Sequence, residues 1–403
     1  MKLNFHSYLM AKRIKINSTS FFVGRGGNDG IISFGSGQPD LPPPKEVYEI
    51  LPTYRAFKYG LIQGQENLRV ALAGQYSGNQ RTKRAEQLRR TQWSNPRQGD
   101  EASDEASHDG ADPENFVITN GASEALDLIF RVFERRSKKK KVLLAKPYYY
   151  SYPFTVRFSG LEPVFTELNE EGRIDINDFN KKIKQCCAVL INSPSNPTGR
   201  IESVATLKEI ERVTKKFGVY VISDEVYKDL IYERENYLIK GKNVVTINSF
   251  SKTFGMCGFR VGYLYSPDKK LVRDVVEMKV HTSMNTNILG QEMAYEATKV
   301  PRAYIHKQTL IWKERRDLLY GGLRELGFQL WKPEGAFYVF PKIKNSNRVV
   351  NELFYDYKVI VYDGAWFGGP DHIRLSYALD ADKIKEGLAR IKEYLKGKEK
   401  WLA

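Results

Sequence analysis

The segment 244–262 constrains the fold more than any other stretch of the chain. It begins with an apolar, β-branched run that is typical of a buried strand, and it continues into small and hydroxylated residues. A single lysine, Lys252, lies among these residues, and Arg260 follows eight positions later. Because a lysine at the end of a buried strand needs a partner or a covalent role for its amine, the segment predicts a functional pocket at this strand end.

The string Ser-x-Ser-Lys-x-x-Gly-x-x-Gly-x-Arg-x-Gly at 249–262 resembles the cofactor-lysine motif of class I aminotransferases. These are the aspartate aminotransferase-like enzymes that use pyridoxal 5′-phosphate (PLP). A lone Ser-Lys pair is more often a surface lysine in a loop, so this interpretation depends on matches elsewhere in the chain. The resemblance implies that Lys252 holds PLP as a Schiff base. It also implies a phosphate-binding role for Ser249, Ser251 and Arg260.

Residues 116–130 predict a strand, a tight turn of small residues and an amphipathic helix. At such a junction the backbone N–H groups of the first helical turn favour a phosphate. Many α/β proteins contain this junction, so the pattern alone carries little information. The family resemblance implies that the main phosphate cradle is formed by Gly121, Ala122 and Ser123.

The segment 142–153 predicts a buried strand followed by a cluster of aromatic residues. Aromatic faces suit stacking on a flat heterocycle, although packing in the core or at an interface would also explain the cluster. The resemblance implies that Tyr149 stacks on the pyridine ring of PLP. A slip of register would give this role to Tyr148 or Tyr150.

Two further strand ends carry polar residues that match the family. Asn196 belongs to an Asn-Pro-Thr-Gly turn after the apolar segment 188–191, and Asp224 follows the apolar segment 219–222. A buried carboxylate needs a cation or hydrogen-bond donors, and a structural arginine would also satisfy it. The resemblance implies that Asp224 pairs with the pyridine nitrogen and that Tyr227 and Asn196 bind the phenolic oxygen. It also places Asn196 near the substrate carboxylate.

Three residues match substrate-binding or subunit-interface positions of the family. Gly37 lies in a proline-rich string that would otherwise suggest a linker, and Arg374 lies in the alternating segment 372–378. The planar fork of an arginine suits a carboxylate, although an edge-strand arginine is a common alternative. The resemblance implies that Gly37 and Arg374 contact the substrate carboxylate. It also implies that Tyr59 reaches the cofactor phosphate of a neighbouring subunit, which predicts a homodimer.

Composition argues against several other classes of protein. The net charge is +15, but the basic residues are spread along the chain and form no recognised nucleic-acid motif, which favours a solvated lysine-rich surface. No apolar run approaches the roughly 20 residues of a membrane span, and the N-terminus lacks a signal-like apolar core. The three cysteines and five histidines show no disulfide-framework or metal-ligand spacing. We therefore expect a cytoplasmic protein without a metal, a membrane or a nucleic-acid partner.

The alternation of predicted strands and helices, with polar residues at strand ends, indicates an α/β protein. The resemblance implies the fold-type I architecture of PLP-dependent transferases. A large PLP-binding domain at 46–290 would contain a mostly parallel seven-stranded sheet, and a small α/β domain would combine 1–45 with 291–403. The polar segment 79–112 is predicted to be a flexible insertion in the large domain.

The sequence also predicts three helical stretches in the second half of the chain. We expect them at 269–280, at 289–323 and, closing the chain, at 380–396.

The order of the motifs implies a PLP-dependent aminotransferase that moves an amino group between an L-amino acid and a 2-oxo acid through pyridoxamine phosphate. Fold does not fix reaction, so a C–S β-lyase or an aminocyclopropane-carboxylate synthase is the alternative. A PLP-binding regulatory protein is a further alternative, but it would need an N-terminal DNA-binding domain, for which the chain has little room. The amino donor stays open. The region 281–287 has no arginine for a second carboxylate, and an aromatic or bulky donor would suit Tyr148, Tyr150 and Trp366.

Overall fold

The computed structural model describes residues 30–76, 111–233, 236–398 and 401–402. Nearly all of the predicted insertion at 79–112 lies outside these ranges, as do the first 29 residues. None of the helices in these ranges combines the length and the hydropathy of a membrane-spanning segment.

The described residues form one large sheet and two small ones. The strands are, in chain order, β1 (Ile32–Ser33), β2 (Phe116–Thr119), β3 (Lys141–Ala145), β4 (Glu162–Thr166), β5 (Cys186–Asn192), β6 (Tyr220–Asp224), β7 (Val244–Ser249), β8 (Gly262–Tyr265), β9 (Tyr338–Val339), β10 (Val359–Ile360), β11 (Tyr362–Asp363) and β12 (Ile373–Ser376). The large sheet has seven strands in the order β2-β8-β7-β6-β5-β3-β4. Strand β8 is antiparallel to both neighbours, and the other adjacent pairs are parallel. The predicted seven-stranded, mostly parallel sheet is therefore confirmed.

The helices cover both faces of the large sheet and build the rest of the molecule. They are α1 (Glu66–Tyr76), α2 (Gly121–Arg136), α3 (Tyr152–Phe158), α4 (Ile176–Lys182), α5 (Val204–Phe217), α6 (Phe250–Thr253), α7 (Lys269–Val280), α8 (Ile288–Thr298), α9 (Arg302–Glu325), α10 (Ser346–Tyr357) and α11 (Ala381–Leu395). The predicted helices at 269–280 and 380–396 are confirmed as α7 and α11. The helical stretch predicted at 289–323 is occupied by two helices, α8 and α9, with a break before Pro301, which is the N-cap of α9.

The central strands are apolar along their whole length because both faces of the sheet are buried. In β3, Val142 and Leu144 belong to a core cluster with α2 and α7, whereas Leu143 belongs to a second cluster with α4 and α5. Strand β6 divides in the same way, with Ile222 in the first cluster and Val221 in the second. Continuous apolar runs are typical of parallel strands that are covered on both sides.

The two ends of the described chain meet in a separate core. Strand β1 pairs in parallel with β10, and β12 lies between β11 and β9 in an antiparallel sheet of three strands. The buried rings of Phe34, Trp312 and Phe337 pack there with side chains of α11. This packing brings a strand near the start of the described chain next to strands of the last fifty residues, and it positions β12 beside the large sheet.

A pair of glycine substitutions tests this packing. Gly387 lies in α11, and a Cβ atom there would come within 2.3 Å of the Phe34 ring. We expect Gly387→Ala to lower the free energy of unfolding by about 1–3 kcal/mol, because the core has no room for the methyl group. Gly321→Ala in α9 is the matched control. Its Cβ would meet nothing within 4 Å, so it should raise stability by about 0.5–1 kcal/mol. Urea unfolding of both variants measures the difference, and equal shifts would contradict the packing described.

Candidate active site

The polar strand ends predicted from the sequence meet at one edge of the large sheet. Strands β2, β5, β6 and β7 point in the same direction, so their carboxyl ends share an edge, and β8 begins at that edge. The edge opens into a cavity of about 290 Å³. All predicted site residues except Gly121 and Tyr59 line it: Gly37, Ala122, Ser123, Tyr149, Asn196, Asp224, Tyr227, Ser249, Ser251, Lys252, Arg260 and Arg374.

Lys252 lies in α6, directly after the end of β7, and its side chain lines the cavity. Its Nζ atom donates a hydrogen bond of 2.5 Å to the carbonyl oxygen of Gly37. Burial lowers the pKa of the amine below its ordinary value. The positive charges of Arg374 and Arg260 lower the pKa further, against the opposing effects of Cys257 and Asp224. The shift favours the neutral form of the amine, which is the form that a nucleophilic or basic lysine uses.

Asp224 ends β6 and is only 4% exposed. The hydroxyl group of Tyr152 donates a 2.6 Å hydrogen bond to Oδ2, and the N–H of Val226 donates one of 3.2 Å to Oδ1. Burial raises the pKa of the carboxyl group to about 6, although both hydrogen bonds and the charge of Lys252 favour the ionised form. The group can therefore hold or release a proton close to neutral pH.

One end of the cavity has the features of an anion-binding cradle. Helix α2 begins there, and the hydroxyl groups of Ser249 and Ser251 lie 2.8 Å apart beside it on the cavity wall. The Arg260 guanidinium donates a 3.3 Å hydrogen bond to the carbonyl oxygen of Asn120, which precedes α2. At Gly121 a Cβ atom would come within 2.6 Å of that guanidinium, and φ is +75°. Glycine at this position thus lets the cation approach the start of the helix.

Arg374 lies in β12, across the cavity from the large sheet's loops, and it is 2% exposed. Its Nη1 atom donates to Asn196 Oδ1 at 3.1 Å, and its Nη2 atom donates to the carbonyl oxygen of Gly35 at 2.7 Å. Among the described residues, its Nε atom is buried without a hydrogen-bond partner. The guanidinium lies within 4.6–4.7 Å of the ring centroids of Tyr338, Tyr362 and Phe367. The fork is therefore fixed in place and has unused capacity to bind an anion.

The structure places two of the three candidate tyrosines on the wall of the cavity. Tyr149 and Tyr150 both line it, with their rings in edge-to-face contact at 4.6 Å. Tyr148 lies outside its wall and stacks on Phe165 at 5.2 Å. Tyr149 also meets the edge of Tyr152 at 5.3 Å, which holds its ring over the strand ends.

Sequence reasoning missed two tyrosines of the site, Tyr152 and Tyr338. Tyr152 bonds Asp224, and Tyr338 places its hydroxyl group 2.8 Å from that of Tyr227. The sequence does contain a signal for Tyr152, because it lies three residues after Tyr149. If a helix begins between them, this spacing turns the side chain of Tyr152 toward the same strand ends. No local signal marked Tyr338, because its role depends on a contact with Tyr227 that spans 111 residues.

The charges of the cavity wall favour an anionic ligand. Its described lining contains three basic side chains, Lys252, Arg260 and Arg374, against the single carboxyl group of Asp224. In the part of the chain that the structure describes, no group of three or more His, Cys, Asp or Glu side chains could hold a metal ion.

The raised pKa of Asp224 predicts a specific pH dependence of stability. The pKa lies near 3.8 in the unfolded chain and at about 6 in the fold, so the folded state keeps a proton that the unfolded state has lost. The free energy of unfolding of the ligand-free protein should fall by about 3 kcal/mol from this group as pH rises from about 4 to about 6. Asp224→Asn should lack that fall. Urea unfolding across this range compares the two proteins, and parallel pH profiles would contradict the prediction.

Known proteins resemble this chain over nearly its whole length. The family model for aminotransferase class I and II matches residues 29–391. The chain is 30% identical over 390 residues to a probable aspartate/prephenate aminotransferase of Aquifex aeolicus, with 91% of each protein covered. It is 29% identical over 393 residues to aromatic-amino-acid aminotransferase 2 of Thermococcus litoralis, with 93% of this chain and 94% of that protein covered.

A solved structure gives the same result for the fold. The crystal structure of an aspartate aminotransferase from Thermotoga maritima matches with a TM-score of 0.79 at 27% identity, covering 97% of this chain and 95% of the other. The names of these relatives favour transamination over the lyase and synthase alternatives. The chain therefore belongs to the class I and II aminotransferases, and it is a PLP-dependent aminotransferase of fold-type I.

Proposed function

We propose that Lys252 is the residue that holds PLP and moves the proton of the amino acid during transfer to a 2-oxo acid. The observation that carries this proposal is the meeting of three groups in one cavity. The amine of Lys252, the carboxyl group of Asp224 and the guanidinium of Arg374 all line it, together with the anion cradle. Each group has the chemistry that one part of the reaction needs.

The residues of the cavity fit PLP in charge and in chemical type. The N-terminus of α2, the hydroxyl groups of Ser249 and Ser251 and the guanidinium of Arg260 would hold the phosphate. Asp224, buried and near its pKa, would hold the pyridine nitrogen in its protonated form. The flat ring of Tyr149 would lie against the pyridine ring.

The phenolic oxygen of PLP would be bound by Tyr227 and Asn196, which line the same cavity. The hydroxyl group of Tyr338 lies 2.8 Å from that of Tyr227. When the hydroxyl group of Tyr338 donates to that of Tyr227, the hydroxyl proton of Tyr227 points into the cavity. Tyr227 can then donate it to an acceptor there. Tyr338 therefore supports the orientation of Tyr227 in this assignment.

Bound PLP supplies an electron sink for the electrons that remain when the Cα–H bond of the amino acid breaks. The neutral amine of Lys252 would take the proton from Cα of the amino acid and later deliver it to C4′, the aldehyde carbon of the cofactor, so one residue acts as base and then as acid. Its lowered pKa favours this exchange near pH 7. The hydrogen bond to Gly37 keeps the amine at the substrate end of the cavity between these steps.

Arg374 would hold the α-carboxylate of the amino acid. Its two Nη atoms are fixed by Asn196 and Gly35, and the aromatic rings around it exclude water from the ion pair. A carboxylate bound there would orient Cα toward Lys252, because both side chains line the same cavity.

We also propose that the enzyme is a homodimer in which Tyr59 completes the site of the partner subunit. Tyr59 is 82% exposed and lies outside the cavity of its own chain. Phe57 and Leu61 beside it are also exposed, at 89% and 58%. Three large apolar side chains so close together on the surface support a protein interface at this segment.

A hybrid dimer tests the roles of Lys252 and Tyr59 together. We expect the Lys252→Ala homodimer to lack turnover and the Tyr59→Ala homodimer to bind PLP about tenfold more weakly, since one hydrogen bond to a charged group is lost. Mixing the two variants should produce one site in which both residues are native. The measurement is the rate of 2-oxo acid formation at a PLP concentration that leaves the Tyr59→Ala homodimer mostly unloaded.

Recovery of activity on mixing, up to a quarter of the native rate for random pairing, is the expected result. Lys146→Ala is the control for loss of a lysine at this edge, because Lys146 follows β3 and pairs with Glu167 outside the cavity. Normal turnover of Lys252→Ala would refute its catalytic role. Full activity of a monomer at low concentration, or no recovery on mixing, would refute the shared site.

We further propose that the preferred amino donor has an uncharged aromatic side chain. Once the cofactor engages Lys252 and Arg260, the cation left in the described lining is Arg374, and the α-carboxylate takes it. The wall also contains the rings of Tyr150 and Tyr362, which suit an aromatic group. Tyr148 and Trp366, which the sequence also suggested, lie outside the lining; Trp366 packs on Tyr362 at 5.4 Å.

Steady-state rates with phenylalanine and aspartate as donors test this preference. We expect kcat/KM to be about tenfold higher for phenylalanine, because the described lining leaves a second carboxylate without a cation. Tyr150→Ala should lower kcat/KM for phenylalanine by about tenfold and leave that for alanine nearly unchanged. Tyr148→Ala is the matched control outside the cavity. A native preference for aspartate would overturn the proposal.

A further inference from the structure

Lys279 is a fully buried lysine to which the transfer reaction gives no role. It lies in the last turn of α7 and is 0% exposed. Its Nζ atom donates to both carboxylate oxygens of Glu124, at 2.9 and 3.0 Å, and to the hydroxyl group of Ser283 at 2.8 Å. All three donors of the ammonium group are therefore used. Burying such a charge costs free energy even when it is paired, so a replacement by apolar residues would often be as stable.

Glu124 connects this buried pair to the phosphate cradle. It lies in the first turn of α2, and its Oε2 atom accepts a 2.5 Å hydrogen bond from the N–H of Asn120. The hydroxyl group of Ser283 donates to its other oxygen. The carbonyl oxygen of Asn120 in turn accepts the hydrogen bond from Arg260. A continuous set of contacts thus runs from Lys279 through Glu124 and Asn120 to the cation of the cradle.

The negative charge of Glu124 would oppose a phosphate at the start of α2, and Lys279 compensates for that charge. A carboxylate in the first turn of a helix is favourable for the helix itself, because it faces the positive end of the dipole. It is unfavourable when the same helix end must receive a phosphate, because the two anions repel each other across the first turn of the helix. A buried ammonium group in contact with both carboxylate oxygens removes that repulsion.

We propose that Lys279 is a positioning residue for the cofactor phosphate. By neutralising Glu124, it lets that carboxylate hold Asn120, and through it Arg260, without opposing the phosphate at the start of α2. The inference rests on the proposed binding of the phosphate at this helix end. It adds a residue to the cradle that touches neither cofactor nor substrate.

A purely structural role for the pair predicts a different outcome. If Lys279 only ties α7 to α2, its loss would lower stability and weaken any ligand of the cavity equally. If it serves the phosphate, its loss would weaken PLP much more than pyridoxal, which lacks the phosphate but has the same ring and aldehyde. The ratio of the two dissociation constants therefore separates the roles.

The experiment measures binding of PLP and of pyridoxal, by calorimetry, to the full-length protein from which cofactor has been removed. We expect Lys279→Met to raise the dissociation constant of PLP by at least about tenfold relative to that of pyridoxal, which corresponds to about 1.4 kcal/mol. The double variant Glu124→Gln/Lys279→Met removes both charges and should recover the native ratio to within about threefold. Lys182→Met, which breaks an ion pair with Asp178 away from the cavity, is the matched control.

Glu124→Gln keeps the test decisive even when Lys279→Met does not fold. It removes the repelling charge and keeps Lys279, so its preference for PLP over pyridoxal should be at least that of the native protein. A reduced preference in Glu124→Gln, or equal weakening of PLP and pyridoxal in Lys279→Met, would overturn the inference.

Arg260→Ala separates this inference from the proposed function. If that variant leaves the affinity for PLP unchanged, the phosphate does not bind at the start of α2 and the assignment of the cradle is wrong. If Arg260→Ala weakens PLP but Lys279→Met does not, the cradle stands and only the role of Lys279 is refuted.

Discussion

The active site depends on four charged side chains held in one cavity by uncharged partners. Lys252 donates to the carbonyl of Gly37, Asp224 accepts from Tyr152, and the two arginines donate to backbone carbonyl oxygens. A buried charge is costly unless it has hydrogen bonds. Neutral partners meet that need for the buried groups and bring no opposing charge, so each group can act on a ligand. The surrounding fold must therefore hold the donors and acceptors in place before any ligand arrives.

The parallel sheet is what brings these groups together. Its strands are apolar on both faces, so they can carry polar residues only where they end, and the ends of β2, β5, β6 and β7 coincide. For this reason the sheet, and most of the groups on its edge, could be predicted from local patterns of apolar runs followed by small or polar residues. The helical stretch at 289–323 was also predicted, but its division into two helices before Pro301 was not. The division at 46–290 stays a prediction.

A site residue could be predicted from the sequence when it belongs to a short motif whose residue types indicate a chemical role. Lys252 and Asp224 could be singled out because a lysine or a carboxylate at the end of an apolar strand needs a partner. Asn196 was singled out only because its Asn-Pro-Thr-Gly string matches the family. The position of Tyr149 rather than Tyr148 on the wall of the cavity required the structure, since adjacent tyrosines differ only in the direction of the side chain. The assignment of a role to each residue still rests on the family resemblance.

Sequence patterns do not identify the partner residues that determine the charge and the position of the site residues. The contacts span 72 residues for Tyr152 and Asp224, 155 for Glu124 and Lys279, and 215 for Gly37 and Lys252. No local pattern records a contact across such separations, because each partner is an ordinary tyrosine, lysine or glycine in its own surroundings. The pKa of Asp224 and the charge at the start of α2 follow from these distant contacts. Two chains with the same short motifs can therefore share a reaction and still differ in its pH range and in their affinity for the cofactor.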